Sequence, residues 1–319
     1  MASCPPFQDY QVGQVLTLSV IPKHGKNCAA STIRARIRKL QYPRTLSRCM
    51  IVDLLGEDYP DHPVFLKLYD SRFSEQLRSD NGIDPWTRDA EKEYIDAVET
   101  GAARQFIHNL RTIPDFEEGI ETWDDGQLET YLTNEVHKLF DAETTAYDAL
   151  RDIQGKLVPR LIARVHLALS LPNVVCMSRT DAAELLHIKG ILLQYVDGFP
   201  LSEVQDHAPQ SEWQGIVDQA VAIVQAVGDH GILNTDVRPD SFMVQRDRSG
   251  CYRVFMIDFG MTRLRGWNES DRDWGKAKLY RDEEGAVGFV MKKRLAREGF
   301  ELRYEYVDRY REWASDDEE

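Results

Sequence analysis

Two apolar runs joined by a polar turn constrain this chain most tightly. They are FMVQ, starting at Phe242, and YRVFMI, ending at Ile257, with QRDRSGC leading from one to the other. Runs rich in β-branched and aromatic residues read as strands, and so short a connection leaves antiparallel pairing as the way to join them. A hairpin brings its two open ends together. One open end follows NTDVRPDS, which carries Asp236, Arg238, Asp240 and Ser241; the other runs into Asp258, Phe259 and Gly260. Asp236 and Asp258 lie 22 residues apart, and both are expected at the same end of one hairpin.

The remaining pattern gives an α+β order. VLTLSVI, TIRARIRKL, CMIVDLL and VFLKLY alternate or are β-branched, and Pro, Gly and Asp breaks separate them. In TIRARIRKL, Ile33, Ala35 and Ile37 share one face and Arg34, Arg36 and Arg38 the other; the alternation fails at Lys39 and Leu40, where the strand is expected to end. Residues 71–133 are highly charged and broken, and read as an insertion, helical in part. Val136, Leu139, Phe140, Tyr147 and Leu150 then mark one face of a helix over about 134–152. LIARVHLALSL and GILLQYV read as a strand pair and DGFPL as a turn. A helix capped by Ser211 is expected through Trp213, Ile216, Val217, Ala220, Val221, Val224 and Val227, ending at Gly228 or Gly231. DEEGAVGFVMKKRLAREGF should supply one more packing helix with its charges in solvent. The whole reads as one domain: an N-lobe over about 8–196, a helical C-lobe over about 197–312 and an acidic tail at 313–319, with a cleft expected between the two halves.

Composition excludes some functions. The 319 residues carry 53 acids against 39 bases, a net charge of −14. That disfavours general nucleic-acid binding, which needs a basic surface, and affinity for anionic membranes. The five cysteines are scattered without metal-site spacing and read as free thiols of a reducing compartment. No apolar stretch is long enough to span a bilayer and MASCPPFQDY has no secretory pattern, so cytoplasm or nucleus is expected.

Two further residues carry chemistry. Lys67, in VFLKLY, shares a strand face with Phe65 and Tyr69, while Val64, Leu66 and Leu68 line the other. With both faces apolar, the amine either snorkels out at an edge or meets a partner. Glu143 stands on the apolar face of the 134–152 helix, where a carboxylate is costly unless paired. Together they suggest a Lys–Glu ion pair across a strand–helix contact. Asp236 and Asp258, as hard oxygen ligands, suit Mg²⁺, which bridges nucleotide phosphates.

VFLKLYD, ETTAYDAL, LLQYV, HGILNTDVRPDSFMV and VFMIDFG, in that order, resemble the motif set of the protein-kinase-like superfamily, and most closely its divergent fungal kinase-like and small-molecule-kinase-like branch. The likeness covers about residues 10–70 and 134–265. It implies a two-lobed kinase-like fold, with an antiparallel-sheet N-lobe bearing one helix and a shortened helical C-lobe. By the same resemblance ATP and Mg²⁺ are the cofactors. Lys67 holds the α- and β-phosphates, Glu143 holds Lys67, and Gln194 and Val196 present backbone groups to adenine. Asp236 accepts or orients the proton of the acceptor hydroxyl, Arg238 lies near the transferred phosphate, and Asp258 binds the metal.

The sequence also departs from that set. Asn234 stands where the family has His, although His230 opens the preceding turn, and Ser241 replaces the Asn that binds a second metal, with Asp240 beside it as a substitute. No G-x-G-x-x-G is present; PKHGKNCAAS offers only Gly25. After Asp258, 61 residues remain without an A-P-E motif. An ATP- and Mg²⁺-dependent phosphotransferase acting on a protein Ser/Thr or small-molecule hydroxyl is therefore one expectation. A pseudokinase, using a nucleotide-gated or empty cleft to bind a protein partner, is a second. A scaffold built on 71–133 is a third.

Overall fold

The structure, a computed structural model, describes residues 9–22, 31–57, 59, 62–168, 184–306 and 309–314. The PKHGKNCAAS turn with Gly25 falls, apart from its first and last residues, outside the described residues; so do Cys4, Cys28, Cys176 and the last five residues. The chain divides into two compact units, Met1–Phe140 with Leu161–Tyr195 and Asp141–Arg160 with Val196–Glu319. Its class is α+β, with an antiparallel sheet in the N-terminal part and helices dominating the C-terminal part.

In the first unit six strands close into an antiparallel barrel: β1 (Val15–Val20), β2 (Thr32–Leu40), β3 (Arg48–Leu55), β4 (Val64–Tyr69), β5 (Leu161–Ala168) and β6 (His187–Gln194), ordered β1-β2-β3-β4-β6-β5. Closure comes from β1 on β5, with Ser19 opposite His166 and Val20 opposite Val165. The alternation read in the sequence is the barrel's inside and outside. Ile33, Ala35 and Ile37 are buried among Leu18, Met50, Leu66 and Leu68, while the arginines between them face out. The strand ends at Leu40, where the alternation fails, and the break coincides with a register shift between Ile37 and Lys39, the signature of a bulge.

Residues 71–133 fold into helices with small apolar clusters of their own. They include α1 (Glu75–Asp80), α2 (Arg88–Thr100) and α3 (Ala102–Thr112), with left-handed Gly101 between the last two. Tyr94, Val98, Ala103 and Leu186 form one cluster; Ile83, Phe106, Tyr131 and Leu132 form another. The charges that obscured this in the sequence are partly internal. Arg78 is buried and donates to both oxygens of buried Glu129, at 2.8 and 2.7 Å. Helix α4 begins at Asp125 rather than near 134, and ends at Ala149. Its start is a reciprocal cap: the Asp124 side chain accepts from Gln127 N–H at 2.8 Å, and the Gln127 side chain accepts from Asp124 N–H at 3.0 Å.

The second unit takes the C-terminal end of α4 and the chain from Val196. Strand β7 (Phe199–Pro200) and α5 (Val204–His207) lead to α6 (Gln210–Asp229), which buries Trp213, Ile216, Val217, Ala220, Ile223, Val224 and Val227. Its N-cap is Pro209, so Ser211 lies inside the helix and does not cap it. Then come β8 (Ile232–Asn234), the β9–β10 hairpin (Phe242–Arg246 with Tyr252–Met256) and β11 (Thr262–Leu264). Helices α7 (Asp271–Arg281), α8 (Glu283–Arg297) and α9 (Arg311–Ala314) complete the unit. Gly198 is required where β7 meets β9, because a Cβ there would come within 2.2 Å of the Val244 carbonyl oxygen. Among the described residues no helix is long and apolar enough to cross a membrane.

Removing one partner of a buried ion pair strands the other charge. Glu129→Ala should therefore lower stability by about 3–5 kcal/mol, read as a lower urea midpoint. Acid should weaken the same unit. The His137 ring lies 3.4 Å from the His187 carbonyl oxygen, and burial, with Lys189 nearby, brings its pKa from 6.5 down to about 3. The folded state keeps this ring neutral while the unfolded chain takes up a proton. The stabilisation is complete above the unfolded pKa and is lost progressively as pH falls from about 6.5 towards about 3. Burial lowers His166 and His187 in the same sense. Urea midpoints should drop between about pH 7.5 and about pH 5, and His137→Gln should flatten that decline.

Candidate functional site

The second unit gathers most of the candidate residues around the loop that follows β8. The hairpin register, Phe242 opposite Met256 through Arg246 opposite Tyr252, places the ends bearing Asp236 and Asp258 side by side, as the sequence implies. Side-chain bonds then fix the loop. Asn234 is buried; its side-chain oxygen accepts from Asp236 N–H at 3.0 Å, and its amide nitrogen donates to the Asp258 carbonyl at 3.1 Å. The residue that looked like a departure thus ties the two aspartate-bearing segments together. Thr235 adds two bonds to the Met261 carbonyl, one from its N–H at 2.9 Å and one from its hydroxyl at 3.0 Å.

Asp258 has φ 66, in the left-handed region that few residues other than glycine enter, although Asp is among the more tolerant. Such backbone persists where its surroundings hold it, and here the Asn234 bond to its carbonyl does so. Phe259 follows fully buried, edge-on to Tyr147 at 5.5 Å. The Asp236 carboxylate is half-exposed with the Arg238 guanidinium 3.7 Å away, a loose and solvated pair.

Ser241 and Asp240 have other commitments. The buried Ser241 hydroxyl donates to the Asp236 carbonyl at 3.1 Å, and Ile257 N–H donates to the Ser241 carbonyl at 2.8 Å. The Asp240 carboxylate accepts from the Ser202 hydroxyl at 2.5 Å, and Arg294 caps the Ser202 carbonyl. Each of the two braces the loop. Among the described residues no three His, Cys, Asp or Glu side chains cluster to hold a metal, and the Ser241 hydroxyl is directed to the Asp236 carbonyl within the loop.

Sequence reasoning missed the support beneath this loop. Glu283, read as a solvated helix charge, is buried: it accepts from Asn234 N–H at 2.8 Å and pairs with buried Lys278. Lys278 in turn donates to the Ile232 carbonyl at 3.2 Å and lies over the rings of Trp274 and Tyr310. Burial pushes the Glu283 carboxyl up, against the pull of Lys278. The only sequence signal was an Asp-Glu-Glu run at a helix start, which is ordinary for a solvated first turn. Downstream, Arg263 grips Glu269 through two bonds, at 2.8 and 2.7 Å, and Arg265 pairs with Asp271, so the segment after Asp258 closes into a short local turn.

Lys67 and Gln194 belong to the first unit, Glu143 and Val196 to the second. Lys67 is 7% exposed, on the outer face of β4 beside Tyr69, while Val64, Leu66 and Leu68 fill the barrel. Gln194 ends β6 opposite Val64, and the division between the units falls between Tyr195 and Val196, which is buried. Glu143 is fully buried on α4.

The strand register also shows which turn leads into the strand paired with Lys67. Cys49 lies opposite Lys67, so the turn leading into the strand beside Lys67 is 41–47, between β2 and β3, while residues 23–30 of PKHGKNCAAS lie outside the described residues. QYPRTLS contains no glycine. It is also held down: Gln76 N–H donates to the Thr45 carbonyl at 3.1 Å, the Ser74 hydroxyl to the Leu46 carbonyl at 3.0 Å, and Arg44 pairs with Asp9 and Glu75.

Asn234→Ala would remove both side-chain bonds and leave Asp258 C=O and Asp236 N–H without them. A loss of about 1–3 kcal/mol is expected, together with faster hydrogen exchange at the Asp236 amide.

No protein-family model matches this chain, and no curated protein matches it. Among solved structures it is similar to the crystal structure of a double mutant of the Mycobacterium tuberculosis PknI kinase domain, at 11% identity over 79% of this chain and 70% of that one, with a TM-score of 0.37. A single mutant of the same domain is similar at 10% identity over 80% and 74%, with a TM-score of 0.34. At that level of overlap only this chain's own residues can carry a functional argument.

Proposed function

We propose that this protein is a nucleotide-dependent phosphotransferase of the kinase type, acting on a hydroxyl acceptor. The observation that carries the proposal is the Asn234 clamp, which holds the Asp236 loop to the left-handed turn at Asp258 and sets both at one end of the β9–β10 hairpin. Phosphoryl transfer asks a protein mainly for positioning and charge neutralisation, and a clamped pair of carboxylates supplies the first. Asp236 is half-exposed and able to meet an acceptor hydroxyl and orient its proton; Arg238 stands beside it with a cation for the transferred group. Asp258 would hold Mg²⁺, which when bound neutralises charge on nucleotide phosphates. Lys67 and Glu143 take the phosphate-positioning roles that the sequence resemblance implies, and Gln194 and Val196 the adenine contacts. The acceptor hydroxyl is that of a protein Ser/Thr or of a small molecule.

One observation favours a second reading, a pseudokinase that binds without transfer. The turn beside Lys67 has no glycine whose backbone could close over phosphates, and hydrogen bonds to 74–76 pin it. ATP with Mg²⁺ should raise the melting temperature, and Asp258→Ala should abolish that rise, because a ligand bound only by the folded state stabilises it. In the phosphotransferase reading, Asp236→Asn should cut ATP turnover on the order of 10²-fold or more while leaving the thermal shift in place. Equal residual rates in wild type and Asp236→Asn, with the thermal shift intact, would decide for the pseudokinase.

A further inference from the structure

The chain's excess of negative charge is not spread evenly. Residues 71–133 hold 15 acids against six bases in a protein whose net charge is −14. Within them lies a pocket of about 430 Å³, enclosed by segments 81–90 and 120–129. That volume falls in the range of about 300–1,000 Å³ usual for small-ligand clefts. Its charged lining residues are Asp84, Glu121, Asp125 and Glu129, with no Lys or Arg among them.

Long-range contacts fix the walls of this pocket to one another. The Arg78 guanidinium donates to the Asp84 carbonyl at 3.1 Å and to Glu129 at 2.8 and 2.7 Å, so Asp84 is held against α4. Asp125 and Glu129 stand one turn apart on that helix and share a face. The Tyr131 hydroxyl adds a second tie, donating to the Asn81 side-chain oxygen at 3.1 Å. In the other segment Trp123 N–H donates to the Ile120 carbonyl at 3.3 Å, and the Trp123 ring lies edge-on to Phe106 at 4.8 Å. Glu121 stands between Ile120 and Trp123 in that turn. Ala90 of α2 forms a third wall, and α4 starts tight against α2: a Cβ at Gly126 would come within 3.0 Å of the Glu93 carbonyl oxygen.

The floor offers apolar surface. Ile120, Trp123 and Leu128 pack on the cluster around Phe106 and Leu132, yet each is only half-buried and lines the pocket. Arg78 takes up the charge of Glu129. The carboxylates of Asp84, Glu121 and Asp125 enter no ion pair or hydrogen bond among the described residues. Asp125 has an ordinary reason for its place, since an acid in the first turn of a helix meets the positive end of the dipole. Asp84 and Glu121 have no such reason. One lies in a loop, and the other near the C-terminal end of the 116–122 turn, where the backbone dipole disfavours an acid. Like charges bordering one space repel, and an organic cation relieves that repulsion while its apolar part covers the floor.

We propose that this pocket binds a small organic ammonium ion, its charge among Asp84, Glu121 and Asp125 and its apolar body on Ile120, Trp123 and Leu128. The surrounding acidic segment draws cations towards it. None of the lining residues is Lys67, Glu143, Asp236 or Asp258, so the proposal does not rest on phosphoryl transfer.

Titration of the full chain with 2-phenylethylamine at neutral pH, followed by amide and indole N–H chemical shifts, tests it. Saturable shifts are expected at the Trp123 indole and at the Ile120 and Leu128 amides. Two analogues separate the halves of the ligand. 2-Phenylethanol lacks the charge and ethylamine lacks the ring, and each should bind at least about tenfold more weakly. The double variant Asp84→Asn, Glu121→Gln changes two exposed side chains. It should melt no lower than wild type and lose about tenfold in affinity for 2-phenylethylamine while binding 2-phenylethanol as before. Equal binding of amine and alcohol, unchanged amine affinity in the double variant, shifts confined to other residues, or no saturable binding would overturn the proposal.

Discussion

Everything at the candidate site rests on a buried carboxylate. Glu283 accepts the Asn234 backbone N–H, and Lys278, paired to it, reaches the Ile232 carbonyl. These two bonds take up the backbone groups of β8 on either side of Leu233 and so fix where the strand stops and the polar loop begins. Buried charges are tolerated only when paired and hydrogen-bonded, and here the cost of burial is offset by setting the position of a strand end. From that fixed end, Asn234 extends in two directions, to Asp236 and to Asp258.

The consequence is a loop in which polar side chains divide into two groups. Asn234, Ser241 and Asp240 are occupied in bracing: with the Asp258 and Asp236 backbone, with the Asp236 carbonyl, and with Ser202. Asp236 and Arg238 lie at the loop's surface as a loose, solvated pair. Rigid support under exposed chemistry is what positioning catalysis requires. It also reinterprets the two substitutions relative to the kinase-like pattern. Asn234 keeps a link between the two segments, whereas Ser241 uses its hydroxyl inside the loop.

In the first unit the barrel sets Lys67 by parity alone. Leu66 and Leu68 point inward because β4 is buried on its barrel face, and a side-chain period of two then turns Lys67 outward beside Tyr69. The antiparallel register puts 41–47 next to it. That turn's contacts with Asp9, Ser74, Glu75 and Gln76 use the groups that a phosphate-covering loop would keep available.

Short-range periodicity determined much of this protein without help. The alternation of β2, the hairpin at 242–256, the buried stripe of α6 and the shared end of Asp236 and Asp258 all follow from local pattern, because side-chain direction in strands and helices repeats within a few residues. Three things were settled only by the tertiary structure. Within the acidic 71–133 stretch Arg78 and Glu129 meet in the interior, a pairing across 51 positions that no local pattern records. The turn next to Lys67, 41–47, is the one chosen by strand pairing. Glu283 is an anchor because β8 passes over it, whereas in the sequence it is one more acid at a helix start. Local pattern says which way a side chain points; only the folded chain decides what it meets there, because such partners lie tens of residues away.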